Sequence, residues 1–244
     1  MSSWNYFIDG FRLIFKKGLR RYVVFPATIN AVVFMAMFWY GGHEFHRLTM
    51  WFAHFLPSWL QWLAGVLWVL FVLVVLLIFV YTFSLVANLV AAPFNGFLAE
   101  KVEEHLRGHP AAAALSWRMI FTEAPRMLKR QLHFMGYYFS RIILVVILFF
   151  IPGLQVLAAP LWYLLSAWMM TVQYIDYPMD NHRIDFVTMR QMLATKRVLN
   201  VSFGALVLVA SLIPLLNFIV IPAAVAGATQ LWLHEYGSAS SVPT

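Results

Sequence analysis

The sequence predicts an all-α integral membrane protein with two long transmembrane helices, two re-entrant (hemi-penetrating) helical hairpins and an amphipathic N-terminal interface helix. Of its 244 residues, 62% are apolar and only 11% are charged, whereas about a quarter of the residues in a soluble domain carry a charge. The apolar residues also fall into four long uncharged blocks. The third observation is that the basic residues cluster between these blocks, as they do around the cytoplasmic ends of membrane segments.

The first two blocks are predicted to cross the bilayer as single helices. Residues 22–40 would span about 28 Å as a helix, which is close to the thickness of the hydrocarbon core. Residues 62–90 form the core of an uncharged stretch that runs from 48 to 99, and they are long enough to cross with a tilt. Before both blocks, apolar residues between Trp4 and Phe15 recur at helical spacing, which predicts the interface helix.

The other two blocks, residues 142–175 and 198–233, are also uncharged but are interrupted by prolines. Their breaks share a pattern of Ile-Pro-x-Leu, an amide, and a second proline eight residues after the first, which indicates an internal repeat. The arms beside the breaks are 10 to 16 residues long, and a full crossing needs about 20. Each block is therefore predicted to form a hairpin that enters and leaves the membrane by the same face.

The basic residues support this topology. With two crossings and two hairpins, 16 of the 17 lysines and arginines lie on one side, and only Arg47 lies on the other, as the positive-inside rule requires. The prediction is a single multi-pass membrane domain over residues 1–237 with both termini in the cytoplasm. Residues 238–244 are predicted to be a disordered tail.

A basic run directly before the first membrane block is the best candidate for a binding site. Gly18 lets the backbone approach a ligand closely, and the following helix start is expected to offer unsatisfied N–H groups and a partial positive charge. Arg20 and Arg21 add forked, permanently charged donors. A site made only of donors suits an anion without a proton, such as sulfate, better than phosphate. The alternative is a topology anchor that binds lipid head groups.

The breaks in the hairpins are the second candidate region. Pro160 and Pro222 are predicted to open the outgoing arms, which would place two helix N-termini inside the membrane, where they attract anions. Gln155 and Asn217 lie in the breaks. These two amides could line a path for an anion, or they could only satisfy freed backbone groups.

Two further predictions concern charged residues outside the blocks. Glu103 and Arg107 are spaced i,i+4, and they could form either part of a charged vestibule or a solvated helix face. Asp185 is predicted to cap a short helix that runs through Met192.

Several classes of function have no support in the sequence. There is no cysteine for a disulfide, a thiolate nucleophile or an iron–sulfur site. Neither a phosphate-binding P-loop, a nucleophile elbow nor a His/Glu metal constellation occurs. The basic residues flank apolar segments and form no stripe, so nucleic acid is not an expected partner. We therefore expect no enzyme activity, no cofactor and no metal.

Three motifs resemble those of the CysZ-type sulfate permeases, in the order in which that family has them. They are Gly-Leu-Arg at 18–20, AAPFNGFLAEKVE at 91–103 and QYIDYPMDNH at 173–182. The resemblance implies a bacterial inner-membrane protein that takes up sulfate for cysteine biosynthesis without nucleotide hydrolysis. It also implies that Gly18, Leu19, Arg20 and Arg21 bind sulfate, the first two through their backbone N–H groups.

The hypothesis from the sequence is thus a sulfate permease, with sulfite or other tetrahedral oxyanions as further ligands and membrane lipid as its surroundings. Two crossing helices cannot enclose a pore alone, so we expect a homo-oligomer. One alternative is a proton- or sodium-coupled symporter in which Glu103 or Asp176 carries the proton. The other alternative is a membrane scaffold or lipid-binding protein that transports nothing.

Overall fold

A computed structural model describes residues 1–55, 64–108 and 117–237 of the chain. Within these ranges the chain forms eight α-helices and no β-strand, which confirms the predicted all-α fold class. The predicted tail at 238–244 lies outside the described residues. The helices are α1 (Ser3–Ile14), α2 (Arg21–Phe55), α3 (Ala64–Arg107), α4 (Trp117–Phe150), α5 (Gln155–Asn181), α6 (Phe186–Thr195), α7 (Arg197–Ser211) and α8 (Pro214–Glu235).

Four stretches of helix in the described residues are long and apolar enough to cross a membrane. The helices α6 and α7 meet at 103° and would add a fifth span if the bent pair crossed as one. The chain is therefore a multi-pass membrane protein. The four stretches are Arg21–Phe45, Gly65–Phe83, Lys129–Phe149 and Gln155–Asn181.

The chain forms two compact units, of which one comprises Val24–Ala92 and holds most of α2 together with the first part of α3. Phe34 on α2 packs edge-on against Phe79 and Phe83 on α3, with ring centroids 6.2 and 5.0 Å apart. Other large apolar side chains of these helices are exposed, among them Trp39 at 77%. Such a surface is stable in contact with lipid tails, which are as apolar as the side chains.

The other unit comprises Met1–Val23 and Pro93–Thr244, and its core is built around α8. The amphipathic helix α1 packs on α8 through close backbone contact. A Cβ atom at Gly10 would lie 2.1 Å from the carbonyl oxygen of Ala223, and one at Gly227 would lie 2.5 Å from that of Tyr6. The same packing joins α5 and α7, where a Cβ atom at Gly204 would lie 1.8 Å from a carbonyl oxygen. Small residues at such contacts let membrane helices approach each other.

The structure corrects the predicted start of the two outgoing hairpin arms. They begin at Gln155 and Pro214, and both Pro160 and Pro222 lie inside the helices. In the first break, Gly153 has a φ of +87° and allows a tight turn, so the chain returns to helix at once. In the second break, Pro214 stands at the first position of its helix, where the missing N–H costs little.

The arms of the first hairpin are also longer than the uncharged stretches suggested. The incoming helix α4 has 34 residues and the outgoing α5 has 27, because both continue into charged segments where the side chains pair with each other. Arm length therefore does not separate a hairpin from two full crossings. The depth of both hairpins remains a prediction.

Candidate functional site

The turn between α1 and α2 holds the four residues of the predicted binding site. Gly18 has a φ of +94°, and no atom would lie within 4 Å of a Cβ placed there, so glycine is needed for the backbone conformation and not for space. Leu19 is only 4% exposed and belongs to the core of its unit. The N–H groups of Leu19 and Arg20 donate to the carbonyl oxygen of Lys16 at 3.1 and 3.4 Å. The buried Leu19 side chain thus anchors the turn to the core, and the two hydrogen bonds to Lys16 close it.

The expected unsatisfied N–H groups at the start of α2 are largely used within the same turn. The N–H of Tyr22 donates to the Leu19 carbonyl at 3.0 Å, and the N–H of Val23 donates to the Arg20 carbonyl at 3.1 Å. The expectation is therefore wrong for these two groups, because they form tight hydrogen bonds to the carbonyl three residues earlier in the first turn of α2. The exposed basic side chains are further donors at this turn.

The basic side chains of the turn differ in what they contact. Arg21 lies over the ring of Tyr22, 5.0 Å from its centroid, and donates to its hydroxyl at 3.2 Å. Lys16 Nζ lies 3.1 Å from His105 Nε2 at the end of α3. Arg20 is exposed, and its guanidinium has no hydrogen bond or ion pair with a side chain in the described part of the protein. Arg20 therefore keeps its full donor capacity for a ligand.

Glu103 and Arg107 form the predicted i,i+4 pair, with Arg107 Nε 2.8 Å from Glu103 Oε1. Glu103 is not simply a solvated residue, because its Oε2 also lies 2.8 Å from Nε2 of His182 on the loop after α5. The His182 ring in turn packs on Trp232 at 4.4 Å. This carboxylate joins the end of α3 to His182 directly after α5, and the ring of His182 connects the pair to α8.

The second and third family-like motifs contact each other in the same region. Asn95 Nδ2 donates to the Tyr177 hydroxyl at 3.3 Å, and Asn181 Nδ2 donates to the Gly96 carbonyl at 2.9 Å. The two stretches that the sequence presents 80 residues apart thus form one hydrogen-bonded contact between α3 and α5.

A half-buried group of four charges joins α4 to α5, and the sequence analysis missed three of its members. Arg130 Nε donates to Asp176 at 2.8 Å, and its Nη1 lies 2.9 Å from Asp180. Arg126 also pairs with Asp180. The signal was present as two arginines and two aspartates, each pair spaced i,i+4, but nothing in the sequence indicates which helix faces which. Asp176, a candidate proton carrier, is part of this group.

Of the two amide side chains predicted to lie in the hairpin breaks, the structure describes that of Gln155. Gln155 is exposed, and its Nε2 donates to the Phe149 carbonyl at 3.1 Å. It therefore satisfies a backbone group freed at the end of α4, which is the structural role that the sequence left open. Asn217 lies in α8, but its side chain lies outside the described residues.

The predicted helix cap at Asp185 is confirmed. Its carboxylate accepts hydrogen bonds from the N–H groups of Val187 and Thr188 at 2.9 and 3.0 Å, and α6 begins at the next residue. The Thr188 hydroxyl also donates to this carboxylate, and these bonds together lower the pKa of Asp185 below its ordinary value of 3.8.

The apolar helices and the exposed basic side chains at the Gly18 turn describe a multi-pass membrane protein with a basic turn before its first membrane helix. A family model described as "Sulfate transporter CysZ/Etoposide-induced protein 2.4" matches residues 6–222, and the chain belongs to this family. It is 46% identical to "Sulfate transporter CysZ" of Pectobacterium atrosepticum over 98% of this chain and 87% of that protein. It is 45% identical to the protein of that name from Pseudomonas fluorescens, over 100% and 95% of the two chains. The Pseudomonas syringae pv. tomato protein is also 45% identical, over 98% and 94%.

Proposed function

We propose that this protein takes up sulfate across the bacterial inner membrane for cysteine biosynthesis, without hydrolysing nucleotide. The relatives are named as sulfate transporters and align over nearly the whole chain. The structural observation that carries the proposal is the unpaired guanidinium of Arg20 at the glycine turn before α2.

The chemistry of sulfate fits this turn. Sulfate carries no proton at neutral pH, so all its oxygens accept hydrogen bonds and it needs donors only. Arg20 and Arg21 supply forked charged donors, and Gly18 shapes the backbone beside them. Leu19 anchors the turn, and since its N–H already donates to Lys16, it would bind sulfate only as a shared donor.

For conduction we propose a homo-oligomer, because the two single crossings predicted for one chain cannot surround an aqueous path. Sulfate would pass the charged pair Glu103 and Arg107 and continue near the hairpin breaks at Gln155 and Asn217. Positive helix ends and arginines lower the cost of moving an anion through a membrane. Sulfite and tetrahedral oxyanions other than sulfate also accept hydrogen bonds through charged oxygens and would compete with sulfate. We propose that both termini lie in the cytoplasm.

The two candidate proton carriers of the symporter alternative both take part in ion pairs. Asp176 is paired with Arg130, and Glu103 is paired with Arg107 and His182. We propose the uncoupled permease. Sulfate uptake that responds to a pH gradient at a fixed sulfate gradient would favour the symporter instead.

The test is sulfate uptake by bacterial cells that lack their own sulfate uptake systems and produce this protein. R20E should abolish uptake, because it places a negative charge where the anion binds. The matched control is K129E, which reverses the charge of an exposed lysine on α4 and should leave uptake unchanged. Full uptake by R20E, at an equal amount of protein in the membrane, would overturn the site assignment.

A further inference from the structure

A second basic region lies in an open cleft of about 410 Å³ formed by α4, α5, α6 and α7. Its walls are mostly aromatic and aliphatic, with Tyr137 and Trp168 on one side and Val201 among the residues of α7. Arg190 and Arg197 also line it. The cleft lies in a different part of the chain from the Gly18 turn and has no role in the proposed function.

The arginines around this cleft lack acidic partners. The guanidinium carbons of Arg141 and Arg190 lie 3.6 and 4.5 Å from the centroid of the Tyr137 ring, so two positive charges share one aromatic side chain. In the described part of the chain, no carboxylate forms an ion pair with either of them or with Arg197. This differs from the neighbouring group of Arg126 and Arg130, whose charges are compensated by aspartates.

One donor in the cluster is both buried and unused. Arg190 Nε is shielded from solvent and has no hydrogen-bond partner among the described residues. A buried N–H without a partner is costly, and its presence in a folded protein calls for an acceptor. Two unpaired arginines and a buried donor therefore indicate that an anionic oxygen completes this cleft.

The walls of the cleft define what carries that oxygen. A small inorganic anion would leave the aromatic and aliphatic walls in contact with water. Val187, which lines the cleft on α6, is 51% exposed, and Val198, next to Arg197 on α7, is 81% exposed, so exposed apolar side chains stand at the cleft and next to it in the chain. We propose that the cleft binds the phosphate of an anionic phospholipid, with the acyl chains lying along these apolar side chains. Basic pockets between membrane helices recognise lipid head groups in this way.

The test is native mass spectrometry of the purified full-length protein in detergent, titrated with phosphatidylglycerol or phosphatidylcholine. Wild-type protein should bind phosphatidylglycerol about tenfold more tightly, as expected for one charge-assisted contact. R190Q/R197Q should bind both lipids equally. The matched control R12Q/K129Q, which removes two charges from exposed positions, should keep the wild-type preference. An unchanged preference in R190Q/R197Q would overturn the proposal.

Two further measurements make the outcome unambiguous. If R190Q/R197Q fails to fold, the second variant is R190K/R197K, which keeps the charges but loses the forked donors. Its preference for phosphatidylglycerol over phosphatidylcholine should be at least severalfold weaker than that of wild type. A preference equal to wild type would contradict the proposal. Inorganic phosphate and sulfate at millimolar concentration should not displace the lipid. Displacement by either ion would show that the cleft binds a free oxyanion and not a lipid.

Discussion

At Gly18 the chain adopts a backbone conformation that costs little only for glycine. The need for glycine at this turn can therefore be tested by adding a single methyl group. G18A adds a Cβ atom that meets no neighbour, so its cost comes from the positive φ alone, about 1–2 kcal/mol. We expect a lower free energy of unfolding in detergent, measured by circular dichroism, and weaker sulfate binding.

The control for this change is G136A, which also adds a methyl group in open space but inside α4. Since alanine favours helix over glycine by about 1 kcal/mol, G136A should be as stable as wild type or more so. Equal stability of G18A and G136A would show that the turn does not require glycine.

Glu235 is a residue whose contribution to stability depends on pH. Its carboxylate lies 2.5 Å from Lys196 Nζ and accepts a hydrogen bond of 2.6 Å from the Tyr6 hydroxyl. The Lys196 contact, followed by the Tyr6 bond, lowers the pKa of Glu235 below its ordinary value of 4.5. Its stabilisation is therefore complete above about pH 4.5 and is lost as the pH falls through the folded-state pKa.

We expect wild-type protein to lose unfolding free energy below pH 4.5 more steeply than E235Q, whose side chain does not titrate. The measurement is chemical denaturation in detergent between pH 3 and pH 7. Parallel curves for wild type and E235Q would contradict this role for Glu235.

At the scale of the helices, the Arg126, Arg130, Asp176 and Asp180 group fixes α4 to α5. R130Q would leave two aspartates with less compensation in a half-buried site, and losing one partner of such a group costs about 3–5 kcal/mol. K129Q changes the neighbouring exposed residue and should stay within about 0.5 kcal/mol of wild type. Similar unfolding free energies for R130Q and K129Q would show that the group contributes little to the α4–α5 contact.

The helices show what hydropathy does and does not predict. The block at 22–40 lies inside α2, and residues 64–90 of the second block lie inside α3, because the apolar stretch that marks a membrane block also forms the helix. Residues 62 and 63 lie outside the described residues. The blocks do not reveal where helices end, since a helix continues into charged sequence whenever those charges find partners. The 34-residue α4 is the clearest case.

Contacts between distant helices were the least predictable part of the site. The sequence identified the Gly18 turn and the Glu103 and Arg107 pair, because these depend on local spacing. It gave no sign that His182 would contact Glu103 or that Arg190 would share the Tyr137 ring with Arg141. Such contacts depend on which helix faces pack together, and a single sequence does not contain that information directly.

At the scale of the whole molecule, the open point is how deep the two hairpins enter the bilayer. The chain has no cysteine, so a single introduced cysteine is the only site that a maleimide can label. If the first hairpin is re-entrant, Q155C should not react with a membrane-impermeant maleimide added from the periplasmic side. R47C, on the predicted periplasmic connection, should react from that side and serves as the positive control. Labelling of Q155C at the rate of R47C would indicate two full crossings.

The central claim is that this chain alone provides a path for sulfate that begins at Arg20. The most direct test is radiolabelled sulfate flux into liposomes that contain only the purified protein, without nucleotide and with no ion gradient besides sulfate. We predict flux with wild-type protein and its loss in the R20E variant, while K129E conducts as wild type does. Folded wild-type protein that moves no sulfate under these conditions, or an R20E variant that conducts normally, would contradict the account.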